Sequence, residues 1–316
     1  MNVVTLGVHV LDVHVRAVES IPDSSDGALV EEIKMSAAGT AGGTATILTK
    51  LGAEVRSLGA VGTDPLGDTL LGLLGVAGVD TTGLVRRDSA QTSGSVIPVR
   101  PNGDRPAWHC IGANGVFTVD DVDFDTVADA THLHLGGPEF LGGEAAARIL
   151  AHARDHGVVT SVDMLAPGDP EMLTWIEAAL PYVDHFLPND EQLLGLTGAA
   201  TLEEAGRALL DRGAGCVAVT RGAEGALVID KDGSVGVPAF AVDVVDTTGC
   251  GDAFSAGYLR GLAAGRAPGE AAVLGCAAAA LVAQGLGTDH GDFDLAAVER
   301  FVLDTPRRHA PVESSG

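Results

Sequence analysis

The residues best placed to do chemistry lie in the stretch Asp246-Thr247-Thr248-Gly249-Cys250-Gly251-Asp252-Ala253-Phe254. It follows an extended run, Val237–Val245, and opens a helical pattern, AFSAGYLRGLAAG. Small residues at Gly249, Cys250 and Gly251 let backbone N–H groups converge at a helix start, where the dipole favours an anion. A phosphoryl group gathering charge during transfer is an anion that such a nest suits. Asp252, in the first turn, would face the same point and could take the proton from an attacking hydroxyl. The same acid also reads as a favourable first-turn residue after a Gly-rich cap, and the spacing alone leaves both readings open.

These residues need elements to hold them. Short β-type runs (Val3–Val8, Val55–Val61, His132–Gly136, Val158–Asp163, His185–Leu187, Cys216–Thr220, Ala226–Ile229) alternate with helical patterns. The helical patterns are Pro65–Val76, Glu144–His156, Glu171–Leu180, Leu202–Arg212 and Ala253–Ala264. Nearly continuous apolar strands in such alternation predict an α/β fold with a mostly parallel sheet between two helical layers. Ligands in such folds bind at the carboxyl ends of the strands. Two stretches break the rhythm: Asp12–Met35 and Gln91–Ala113 read as pairs of strands joined by polar turns. They predict either ordinary surface hairpins or a small separate sheet that covers the site as a lid. The expected organisation is one domain over residues 1–305, with lid hairpins at about 12–35 and 91–113 and a frayed tail over 306–316.

Composition narrows the partners. The 316 residues carry 43 acidic and 19 basic side chains, a net charge of -24, which excludes a general nucleic-acid or anionic-membrane surface. A phosphorylated ligand stays open, because a backbone nest binds anions on an acidic protein. The longest apolar run, Ala271–Ala283, is shorter than the ~20 residues of a bilayer span and reads as a buried helix. Cys110, Cys216, Cys250 and Cys276 form no CxxC pair, and the first residues alternate like a strand without a basic start or cleavage site. A cytoplasmic location is the expectation. Cys250, at a helix start, could carry an activated thiol or simply be a small residue between glycines. His132 and His134 share a strand face, and His9, Asp12 and His14 cluster, yet no third ligand with defined geometry is nominated. His14 or His109 could instead bond a ligand from the lid. Neither a G-x-x-x-x-G-K-[ST] loop nor a G-x-S-x-G elbow is present.

The DTTGCGDAF stretch closely resembles the C-terminal signature of the ribokinase-like (PfkB) carbohydrate kinases, D-T-x-G-A-G-D-x-F, with Cys250 departing. The run Ala38–Ala45, then Leu51-Gly52 and GAVGTDPLGDTLLGLL, is similar to the family's N-terminal signature. FLPNDEQLLGLTG, VTRGAEGALV and the GLGTD around Gly287 follow in the family's order, so the likeness spans roughly residues 3 to 303. The resemblance implies a ribokinase-like three-layer α/β/α domain, ATP and Mg²⁺ as cofactors, and K⁺ as a monovalent activator. It implies Asp252 as base and Gly249, Cys250 and Gly251 as an anion hole. By the same resemblance Asp12, Gly39, Gly42 and Gly43 would contact substrate, with Gly43 standing where the family has Asn and opening extra room. Glu139, in LGGPEF at a strand end, is a further substrate candidate. Asn189, Thr220, Gly222, Gly225 and Cys276 would serve the nucleotide. Asp246, Thr248 and Gly287 would flank the monovalent cation, and Glu191 would organise Mg²⁺ because Gln192 replaces the family's Glu.

Few basic residues (Arg16, Lys34, Arg100, Arg105) lie in the lid segments. An uncharged sugar such as ribose or fructose is therefore favoured, with a nucleoside next and an acidic sugar through Arg100 or Arg105 after that. A non-catalytic sugar- or nucleotide-binding protein of the same fold is the rival from another class. An open hairpin edge also suggests a homodimer through the lid.

Overall fold

Apolar runs bounded by turns become thirteen strands in a computed structural model, which describes residues 1–308. They are β1 (Asn2–Gly7), β2 (Val10–Arg16), β3 (Glu32–Ala38), β4 (Glu54–Gly62), β5 (Asp80–Arg87), β6 (Gly94–Val99) and β7 (Trp108–Cys110). Then follow β8 (His132–Gly136), β9 (Val159–Asp163), β10 (His185–Phe186), β11 (Cys216–Thr220), β12 (Ala226–Asp230) and β13 (Gly233–Val237).

Nine strands form one sheet in the order β13-β12-β11-β10-β9-β8-β1-β4-β5, every pairing parallel except β11/β12 and β12/β13 at one edge. Alternate side chains of β1 feed opposite cores: Val3 joins one, Val4 and Leu6 the other. The helices Gly42–Lys50, Pro65–Ala77, Cys250–Ala263 and Pro268–Val282 cover the first face, while Gly143–Asp155 and Leu202–Leu210 cover the second. The expected three layers are therefore present. The strands β5 and β13 had no counterpart in the sequence reading, because each is an edge strand whose polar or exposed residues break the apolar run.

Two corrections concern boundaries. The extended run Val237–Val245 is not a strand: β13 ends at Val237, and only Phe240 pairs afterwards, with Arg307. That pairing also ties down residues 306–308, through Ala241 N to Pro306 O (2.9 Å) and Arg308 N to Ala239 O (2.7 Å). The start of the predicted frayed tail is thus held, and its remainder lies outside the described residues. The helix predicted at Glu171–Leu180 is Pro170–Ile176 followed by a tighter 3₁₀ stretch, Glu177–Tyr182, that contains Pro181.

The apolar run at 271–283 fills most of the buried helix Pro268–Val282 and its C-cap Ala283, packed against Cys250–Ala263. Contact is close enough that a Cβ at Gly261 would come within 2.7 Å of Ala271 Cα. Among the described residues no helix is long and apolar enough to cross a membrane.

The remaining four strands form the small sheet β3-β2-β6-β7. Hairpins β2/β3 and β6/β7 are antiparallel, and a parallel β2/β6 pairing joins them. Register sorts its faces. Ser36–Asp12–Ser95–His109 and Lys34–His14–Ile97 run across one face; Met35–Val13–Val96–Trp108 runs across the other. Asp12, His14, Ser36 and Ile97 are buried on the first face, whereas Met35, Val96 and Trp108 stand exposed on the second.

Candidate active site

The polar face of the small sheet closes over the carboxyl ends of β9, β10 and β11. Between them lies a cavity of about 560 Å³, and a second of about 440 Å³ adjoins it. Thr220, Gly222, Thr247, Cys250 and Gly251 line both. The start of the helix Cys250–Ala263 is thus the wall the two cavities share.

Gly249 precedes that helix with φ 77, a left-handed conformation in which a Cβ would meet the Thr288 backbone. No side chain caps the helix. The Cys250 amide donates to Thr247 O (3.3 Å), which turns one of the three predicted anion-hole donors away. The next amides, of Gly251 and Asp252, are the orphan donors every helix start leaves. Cys250 itself is no activated thiol. Burial pushes it up to about 12, and its Sγ donates to Ala279 O (3.6 Å).

The Asp252 side chain lines the larger cavity, in the first turn of the helix. Burial first, then the charges of Asp163 and Asp12, holds its carboxyl well above the ordinary 3.8, and Arg105 pulls the other way. The helix Gly42–Lys50 starts against the same carboxylate, and its partial positive charge also favours the ionised form. That contact corrects the reading of Gly43. A Cβ there would collide with the Asp252 carboxylate, so the glycine opens no room for substrate; it is the seat of the acid. Gly42 likewise does not line the cavity and instead faces the buried His9 ring.

Asp12 and Gly39 do reach the larger cavity. Burial raises Asp12 to about 6, against a Ser95 hydrogen bond and the charges of His109 and Arg105. His109, bonded through Nδ1 to Ser95 Oγ (2.8 Å), lines the same wall. His14 does not, being sealed between Ser36 Oγ (2.8 Å) and Asp246 Oδ2 (3.6 Å). Glu139 also fails to reach it. Its Oε1 accepts from the amides of Leu165 and Ala166 (2.8 Å each), so it staples a loop that lines the cavity.

Asn189, Thr220 and Gly222 line the larger cavity, while Gly225 and Cys276 line only the smaller, apolar one. Asn189 caps the helix Asp190–Thr197 reciprocally with Gln192. Gln192 is buried, and its Nε2 donates to the carbonyls of Met164 (3.0 Å) and Ala166 (3.1 Å). A glutamate could not donate there, which explains the amide at this position. The exposed Glu191 and the half-buried Asp190 remain at the cavity wall. Hard carboxylate oxygens of this kind suit Mg²⁺ shared with phosphates, which needs only one or two protein carboxylates.

Asp246, Thr248 and Gly287 do come together. Asp246 Oδ1 accepts from Thr248 N (2.9 Å) and Oγ1 (2.7 Å), and Oδ2 accepts from Gly287 N (3.0 Å). His9 and His134 are core residues, each lowered to about 4 by burial. Among the described residues no three His, Cys, Asp or Glu side chains converge as metal ligands.

Asp163 and Thr288 are among the lining residues that were missed. Asp163, at the end of β9, lines the cavity, and burial raises it to about 7. Its place at the carboxyl end of a predicted strand was the available signal. Thr288, which lines the cavity and bonds Ala37 O (2.7 Å), carried no such signal.

The match to known proteins is decisive for the family: a model described as pfkB family carbohydrate kinase covers residues 2–293. The chain belongs to that family. This kinase therefore transfers a phosphoryl group to an alcohol group of a carbohydrate. It is 31% identical over 242 residues (77% of this chain, 78% of the relative) to an ATP-dependent ribose-1-phosphate kinase of Halopiger xanaduensis. It is 27% identical over 259 residues to a deoxyribokinase of Salmonella typhi (80% and 83%). Ribokinase structures from Thermotoga maritima and Arabidopsis thaliana both superpose with a TM-score of 0.79. They are 24% and 23% identical, covering 96% and 95% of this kinase and 99% and 98% of their own chains.

Proposed function

We propose that this kinase transfers the γ-phosphoryl group of ATP to a hydroxyl of a small uncharged sugar, with Asp252 as general base. The observation that carries the reading is the shared wall: Gly251 lines both the polar and the apolar cavity, and Asp252, the next residue, lines the polar one. The sugar would lie in the larger cavity against Asp12, Gly39 and His109. The base of ATP would lie in the smaller one against Gly225 and Cys276, with its phosphates passing Thr220, Gly222 and Asn189 to the helix start. The first-turn amides would stabilise the charge that gathers on the moving group. Mg²⁺, held through Glu191 and the phosphates, would supply charge neutralisation. The name of the Halopiger relative, an ATP-dependent kinase, supports ATP as the donor.

Arg105 favours a second reading. Its Nε donates to Thr247 Oγ1 (2.7 Å), which brings a guanidinium from the lid over the anion turn and into the cavity lining. A sugar already carrying a phosphate, as the Halopiger relative's name describes, would find one cation there against Asp12, Asp163 and Asp252. One guanidinium among so many carboxylates favours the neutral sugar.

A panel of sugars, sugar acids, sugar phosphates and nucleosides with ATP and Mg²⁺, read as ADP released, tests both readings. A neutral pentose or hexose should give the highest kcat/KM, and a preference for a sugar phosphate would establish the second reading. Binding without turnover across the panel would leave a non-catalytic sugar-binding protein. We further propose a homodimer over the exposed Met35–Val13–Val96–Trp108 row. Val96→Lys should lower the mass measured by light scattering, and a monomeric wild type would refute the dimer. Free thiols at Cys110, Cys216, Cys250 and Cys276 support a reducing cytoplasm as the compartment.

A further inference from the structure

The loop from Gly285 to Gly291 sets the position of the anion turn. Gly287 N donates to Asp246, and the Thr288 backbone fills the space beside Gly249. The family resemblance places a monovalent cation beside this loop, yet two of this chain's own cations already bind it. Lys34, from the lid strand β3, donates to Leu286 O (2.9 Å) and pairs with the Asp289 carboxylate (2.7 Å). Its ammonium also lies 3.2 Å from where a Cβ at Gly287 would stand. Lys50, at the end of the helix Gly42–Lys50, donates to Asp289 O (2.5 Å) and Gly291 O (2.6 Å), over the Phe293 ring (5.2 Å).

We infer that the ammonium groups of Lys34 and Lys50 do the work of the monovalent cation, so that turnover does not depend on potassium. The inference rests on the kinase reading above. An ammonium is a compact point charge with three donors, and it gathers carbonyl oxygens much as a bare monovalent ion does. Tethering it by a side chain removes the need to capture the ion from solution. The Asp246 carboxylate is engaged as well, its Oδ1 accepting twice from Thr248 and its Oδ2 once from Gly287. With Leu286 O, Asp289 O and Gly291 O already accepting from ammonium groups, a captured K⁺ would duplicate the positive charge that the two lysines bring to this loop. Placement adds a consequence. Lys34 lies two residues from Ser36 in the row that contains Asp12, so the sugar-facing sheet grips the loop that backs the anion turn.

The test compares potassium chloride with choline chloride at equal ionic strength. Wild-type ADP release should agree in the two salts within about twofold, and activation by potassium beyond about fivefold would overturn the inference. Lys34→Met and Lys50→Met should each lose turnover in choline and regain part of it in potassium, because the vacated carbonyls can then take the ion. Melting of the ligand-free protein supplies a readout independent of catalysis. Potassium should leave the wild-type Tm within about 2 °C, and a larger rise would overturn the inference. Both variants' Tm should rise in potassium; a failure of either properly folded variant to respond would count against it. The wild-type comparison stands even if the variants do not fold. Absence of turnover in either salt would sink the kinase reading instead, and the melting curves would still decide the cation question.

Discussion

On one side of the anion turn the walls carry Asp12, Asp163, Glu191 and Asp252; on the other they carry Phe240, Val242, Ala279 and Ala283. The polar cavity must distinguish hydroxyl groups and hold a proton, tasks that need buried, fixed acceptors. The apolar cavity needs only to take a flat base out of water, for which burial at roughly 25 cal/mol per Å² suffices. Chemistry belongs to neither cavity alone. It belongs to the helix start between them, where one acid and two amides meet what each side delivers.

The sharpest way to break this division is to neutralise the acid. Asp252→Asn should lower kcat by ~10²–10⁴ with little change in either KM, the loss expected of a general base. A kcat within about tenfold of wild type would reduce the residue to a first-turn acid. Next in size is Gly43→Ala. Its methyl would push the Asp252 carboxylate out of its seat, and a displacement of about 1 Å can cost about 10²-fold in kcat. Unchanged kcat in that variant would show that the acid can act from another rotamer.

Gly43 also shows how much the sequence could carry. Its type and place in a glycine run were legible, but its partner lies 209 positions away in the chain, and only the fold brings Asp252 against it. The strands ending at the cavity were legible because they are buried on both faces and largely apolar, as in β11. The edge strands β5 and β13 were not, since half-exposed edges lack that signal. Glu139 stands at a strand end as predicted, yet backbone amides claim its carboxylate, a choice no local pattern encodes. Gln192 read as a damaged magnesium ligand, whereas the carbonyls it serves come from a loop 26 to 28 residues earlier.

The apolar side allows a smaller, selective perturbation. Ala279→Phe projects a ring into the cavity lining from a half-buried helix position. The KM for ATP should rise about tenfold while the KM for sugar stays within about twofold. Equal rises in both would mean that the two cavities are not separate compartments.

The finest test changes only charge. Asp252 must be ionised to accept a proton, so kcat/KM should fall as pH drops through its carboxyl pKa. Burial raises that pKa first, and the Asp163 charge raises it further. Asp163→Asn removes the second cause, so the acid limb of the profile should move to lower pH. Arg105→Gln removes a cation that lowers the same pKa, so its limb should move to higher pH. Stability supplies the matching sign. Asp163 is raised from 3.8 to about 7 in the fold, so the native state binds the proton more tightly than the unfolded chain. The stability this proton contributes is full below the unfolded value and is lost as pH rises through about 7. The wild-type Tm should therefore decline across that window more steeply than that of Asp163→Asn. Parallel melting profiles, or limbs that move the same way in both variants, would show that the carboxylates of the polar cavity do not sense one another.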